Sequence, residues 1–186
     1  MLNGASCFLC DVTVKLWVSQ FVLYYVRDGL NGTTAGSRMI SDVESYEGNK
    51  TITVHLTASG ANAFYATEHD LKTHRGDVEV SNEASDFTNS DGTVISNSIL
   101  ERAHHELVHA YHYLRYGNNL YQCYFRKPFD DWHSTDDANY TRLVAAEDRY
   151  GDAPDKGSYP NLTEYLAVQR TNELRTELGL PTRDKY

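Results

Sequence analysis

The chain has 186 residues, enough for one domain (1–186) with a hydrophobic core of its own. Its 17 Lys+Arg against 26 Asp+Glu leave a net charge of −9, which argues against nucleic acid or an anionic membrane surface as a partner. A hydrophobic fraction of 40% with 12% aromatics excludes a disordered chain, and three cysteines do not make a disulfide framework.

In chain order, Cys7 and Cys10 form a C-x-x-C without a second pair and read as plain thiols. Asp11 and Lys15 interrupt the first apolar run and no basic leader precedes it, so neither a classical signal peptide nor a membrane span is expected. Residues 11–29 predict a helix with an Asp start and a Gly stop, and 37–46 a second short one. The alternating, β-branched KTITVHLT (50–57) predicts a strand, GDVEVS (76–81) a partner for it, and NSDGT (89–93) a turn into another short strand. A helix over 99–116 follows. The 117–161 stretch reads as a long irregular insertion with a short helix at 138–149, and a loop of that length in a compact domain is usually functional. A last helix over 162–178 ends at LGLP, a Gly cap followed by Pro.

The helix at 99–116 carries HHELVHAYH (104–112). On a helical wheel Leu100, Ala103, Leu107, Ala110, Tyr111 and Leu114 share one stripe, suited to a core. His105 and His109 stand about 40° apart on the opposite side, with His112 beside them. Two imidazoles one turn apart can share a metal ion. Glu106 between them is then placed to take a proton from an activated water, the chemistry of an H-E-x-x-H zinc site. His104 points about 100° away from His105 and is not counted as a ligand. A bland reading exists too: a solvated helix whose histidines pair with acids.

Catalytic zinc takes three protein ligands and keeps one position open. The extended motif with Gly and His after the second histidine is excluded, because His112 and Arg115 occupy those places. The third ligand must come from further along, from Glu147 or Glu164. Glu164 has an alternative role, since Asn161 could cap the last helix with Glu164 as the reciprocal member of a capping box.

HELVHAYHYLRYG together with TEYLAVQRTNELRTELGLPTRDKY resembles the NleD-type family of effector zinc metallopeptidases, delivered by type III secretion, which cleave host mitogen-activated protein kinases in their activation loop. The resemblance is specific over 105–117 and 163–186. It runs through His105, Glu106, Leu107, His109 and Ala110, then Glu164 and Val168. The tail adds Asn172, Leu174, Arg175, Glu177 to Pro181, Arg183 and Tyr186. Thr163, Ala167 and Gln169 depart from the family pattern. It implies Glu164 as the third zinc ligand, a host kinase as substrate and secretion into the host cell; a monomer is expected. The elements predict an α+β fold in which a small antiparallel sheet packs on the histidine helix and a helical C-terminal half closes the cleft, which resembles the zincin fold of metallopeptidases.

Two other readings stay open: a non-proteolytic zinc hydrolase, and a binding module in which zinc is a structural cross-link closed by His112 or His133 as a fourth ligand. The acids Asp130, Asp131, Asp136 and Asp137 are expected either to recognise a basic flank of the substrate or to serve solubility. In the tail, Leu178, Leu180 and Pro181 are expected to close the core, with Arg183 and Tyr186 reaching into the cleft as the alternative.

Overall fold

The computed structural model describes residues 20–46, 51–58, 60, 62–70, 73–132, 137–146 and 158–186. Cys7, Cys10, His133, Asp136 and Glu147 fall outside these residues, as does the first half of the helix expected at 11–29. The fold is α+β. Helices α1 (Gln20–Asn31) and α2 (Thr34–Glu44) precede strands β1 (Thr51–Thr57), β2 (Ala63–Asp70) and β3 (Thr73–Ser81). A hairpin of β4 (Ser85–Thr88) and β5 (Val94–Asn97) leads into α3 (Ile99–Leu120), followed by α4 (Asp137–Ala146) and α5 (Leu162–Glu177). Among the described residues no helix is long and apolar enough to cross a membrane.

The sheet differs from the expected antiparallel one. The strands anticipated at 50–57 and 76–81 do pair, but in parallel, with Val54 opposite Val78 and Leu56 opposite Val80. The unanticipated β2 then pairs antiparallel on the far side of β3, giving the order β1-β3-β2. Ile52, Val54, Phe64, Val78 and Val80 are buried and form the sheet's contribution to the core. Gly76 makes room for Phe64: a Cβ at Gly76 would lie 2.4 Å from Phe64 Cε2. The Phe64 ring in turn packs at 5.5 Å on Tyr113 of α3 and at 6.1 Å on Tyr121, tying the edge strand to the helix.

Helix α3 runs through the middle of the molecule, with β3 and β2 against one side and α2 and α5 against the others. Its predicted amphipathicity is therefore overtaken by tertiary packing. From Leu100 to Leu114 every residue but His105 is buried, His104, His109 and His112 included. The helix bends at Gly117, whose φ of 74° and ψ of 163° suit glycine almost alone, and continues through Leu120 into a π-helical turn, Tyr121–Phe125. Tyr121, Phe125, Phe129 and Trp132 are all buried. The start of the 117–161 stretch is thus packed structure and not an irregular loop. Its aromatic residues are what signal this in the sequence.

Candidate metal centre

Two caps set the helices that carry the site. Ser98 starts α3 in a capping box: its hydroxyl accepts from Glu101 N at 3.3 Å, and its own N–H donates to Glu101 Oε2 at 2.8 Å. The other Glu101 oxygen forms a buried ion pair with Arg175 of α5. Asn161 starts α5, accepting from Glu164 N at 3.1 Å. The Glu164 carboxylate does not need to return that bond, because it is engaged elsewhere.

That engagement is with the two motif histidines. Glu164 Oε2 lies 3.0 Å from His105 Nε2 and 3.4 Å from His109 Nε2. The imidazole rings stand 4.9 Å apart and nearly perpendicular, so both Nε2 atoms face the same point. The ligand atoms of His105, Glu106 and His109 also lie within 4.8 Å of one another. On the far side of the ring, His109 Nδ1 lies 2.8 Å from Thr163 Oγ1, which also sits 3.1 Å from His112 Nδ1. When Nδ1 donates to Thr163, Nε2 keeps its lone pair facing Glu164. Two imidazole nitrogens and a carboxylate oxygen then share one small volume, and lone pairs held this close need a proton or a cation between them. The donor types are those zinc takes. Tetrahedral bonds of about 2.0–2.1 Å would separate neighbouring ligand atoms by about 3.3 Å, which the observed spacings bracket. The residues fit the ion.

Electrostatics follow the same lines. Burial alone would raise the Glu164 carboxyl, but His109 and His105 outweigh it and hold the group well below the usual carboxylate range. Burial also opposes the charged form of His109, and the neighbouring Glu164 and Glu106 reverse this and raise it. For Glu106 burial prevails over the nearby His109 and His105 and pushes the carboxyl up. Glu106 thus holds a proton more readily than an ordinary glutamate, as a proton acceptor and donor should. His104 and His112 are pushed down by burial, His104 to about 3, and both act as neutral packing groups. His104 Nδ1 meets Thr171 Oγ1 at 3.2 Å, in keeping with its exclusion as a ligand.

These groups line a cleft of about 160 Å³ together with Asn62 to Phe64, Tyr121, Arg126, Thr163 and Tyr186. The expectation for the tail is corrected here. Leu178 and Pro181 are exposed, and Leu180 is only partly covered, so they do not close the core. Polar bonds hold the tail instead. Asn172 Nδ2 donates to Arg183 O at 2.7 Å and its Oδ1 accepts from Arg183 N at 2.8 Å, while Tyr186 N donates to Ser158 O at 3.0 Å. Buried Arg183 lies over the Phe87 ring at 3.5 Å and beside the Tyr186 ring at 5.0 Å. Tyr186 then stands at the cleft, its ring 6.2 Å from that of His105 and lining the same cleft as Glu164. Partial burial and the two cleft carboxylates push its phenol up to about 12, so it keeps its proton.

Thr163, Tyr121 and Arg126 are site residues that the sequence reading does not place at the site. The spacing of Thr163 beside Glu164 is a signal for it, whereas Tyr121 and Arg126 arrive only through the bend at Gly117. Asp130 and Asp131 are exposed and do not line the cleft. A scan against protein-family models found no match, and a search of curated protein sequences returned no significant one.

Proposed function

We propose that this protein is a zinc-dependent endopeptidase with a zincin-like arrangement, zinc being held by His105, His109 and Glu164. The observation that carries the reading is the meeting of Glu164 Oε2 with both motif imidazoles, 59 and 55 positions away in sequence, at 3.0 and 3.4 Å. Zinc, when bound, supplies a Lewis acid that polarises a carbonyl and lowers the pKa of water towards about 7. Glu106, buried and raised, accepts the proton of the attacking water and delivers it to the leaving nitrogen. Tyr186, protonated and poised at the cleft, donates a hydrogen bond to the oxygen that gains charge as water adds. Strand β2 lies at an edge of the sheet and its first residues line the cleft, so an extended peptide can align along it by backbone pairing.

His112 turns Nδ1 to Thr163 and is buried behind the imidazole cluster, which favours a centre open to substrate over one closed by His112 as a fourth ligand. The resemblance to effector metallopeptidases makes the activation loop of a host mitogen-activated protein kinase the first substrate to try and secretion into a host cell the matching setting.

The test combines metal analysis with substrate cleavage. Purified protein should hold one zinc per chain and lose it with His105→Ala or His109→Ala. Wild type incubated with a kinase panel should produce new termini by mass spectrometry. Glu106→Gln should keep zinc and fold while losing about 10²- to 10⁴-fold in rate. Near-normal cleavage by Glu106→Gln, or full zinc content in a histidine variant, would sink the reading.

A further inference from the structure

The cleft carries two carboxylates, Glu106 and Glu164, and one guanidinium, Arg126. Other arginines of the chain have clear structural duties. Arg102 and Arg175 are buried on backbone carbonyls, Arg170 pairs with Asp42, and Arg27 and Arg38 pair with Glu44 and Glu173. Arg126 is different. It is exposed, and among the described residues its guanidinium forms no hydrogen bond or ion pair, although the chain carries a net charge of −9. Among the described residues this cation stands at a cleft whose carboxylates, Glu106 and Glu164, do not pair with it.

The backbone under Arg126 is held from both sides. Before it, the π-helical turn is anchored by buried Tyr121 and Phe125, and Arg126 N donates to Tyr121 O at 2.9 Å. After it, Pro128 forms a β-bridge with Asn161, the cap of the helix that carries Glu164, and Phe129 N donates to Pro160 O at 3.0 Å. Arg126 is therefore registered against the His105–His109–Glu164 centre through the same segment that positions Glu164. The start of edge strand β2, Asn62 to Phe64, lines the same cleft, so a peptide running along that edge comes within reach of the guanidinium.

We propose that Arg126 is a specificity residue that pairs with an anionic side chain of the substrate close to the bond at Glu106. A guanidinium and a carboxylate or phosphate make paired, charge-assisted hydrogen bonds whose geometry a lysine cannot reproduce. The assignment rests on the metallopeptidase reading for the cleavage, but the pairing itself is a statement about binding. It replaces the expectation that the Asp130–Asp131 turn selects a basic flank.

The test uses zinc-loaded Glu106→Gln, which leaves peptides intact, and two fluorescent peptide pools that differ only in Glu or Lys at the varied positions. By anisotropy the Glu pool should bind about tenfold tighter or better, and adding Arg126→Glu should reverse the order. A pool with phosphoserine in place of Glu decides between carboxylate and phosphate as the preferred anion, and tighter binding of either over Lys supports the pairing. Binding of the Glu and phosphoserine pools no tighter than the Lys pool, no binding of any pool, or an unchanged preference with Arg126→Glu overturns it. Cleavage of the same pools by the unmodified protein separates the two claims. Cutting without acidic preference removes the role of Arg126 and leaves the metallopeptidase, whereas Arg126-dependent binding of acidic peptides with no cutting does the reverse.

Discussion

Glu164 has two duties that a substitution can tell apart. Its backbone N–H takes the Asn161 cap, and its carboxylate meets His105 and His109. Replacing it with Ala keeps the first and deletes the second. If the carboxylate holds zinc, zinc at about a thousandfold over its Kd should stabilise wild type by about 4 kcal/mol, and so raise its melting temperature by roughly 10 °C. Glu164→Ala should show only a small part of that rise. Differential scanning calorimetry with and without zinc reads the difference, and an equal rise in both proteins would mean that the third ligand lies elsewhere. The motif histidines and Glu106 were legible in the sequence because helical spacing alone brings them together. The role of Glu164 was not decided by spacing, since the same residue fits a capping box. Arg126 was illegible for a different reason: it reaches the cleft through the bend at Gly117, which no local pattern announces, whereas Tyr186 at the cleft is the alternative already open for the tail.

At the scale of elements, the helices expected at 37–46, 99–116 and 162–178 correspond to α2, α3 and α5, because caps and apolar spacing are local signals. Strand β2 was missed. Its sequence AFYATEHD alternates poorly and closes in four polar residues, so neither periodicity nor β-propensity marks it. It is a strand because β3 offers it an edge and Phe64 fills the space left by Gly76. That packing makes a sharp prediction. Gly76→Ala drives a methyl into the Phe64 ring and should lower stability by about 1–3 kcal/mol in urea unfolding. Phe64→Leu, which removes the ring, should cost stability by itself yet make Gly76→Ala nearly neutral on top of it. Additive losses in the double variant would mean that the ring is not what excludes a side chain at position 76.

For the whole molecule, the candidate centre depends on α3 and α5 keeping their relative register, because α3 carries His105 and His109 and α5 carries Glu164. The buried Glu101–Arg175 pair fixes that register one end of the helices away from the candidate site, and Arg175 also holds Ser96 O, so the β5 hairpin strand is bound into the same joint. The tail is locked to α5 through Asn172, which places Tyr186 by the same frame. The sheet was built from a different logic, and its strand order has a consequence in time. β2 and β3 are consecutive and antiparallel and can close as a hairpin at once, while β1 must wait for β3 and then dock in parallel on its remaining edge. Loop-closure entropy thus sets an order of events in which the strand at the cleft forms before the strand furthest from it. Stopped-flow chevrons should show Phe64→Leu in β2 slowing refolding and Ile52→Val in β1 acting mostly on the unfolding limb. The reverse pattern would place β1 in the nucleus. With the expected one, the cleft-side strand is drawn early and the opposite edge of the sheet is finished last.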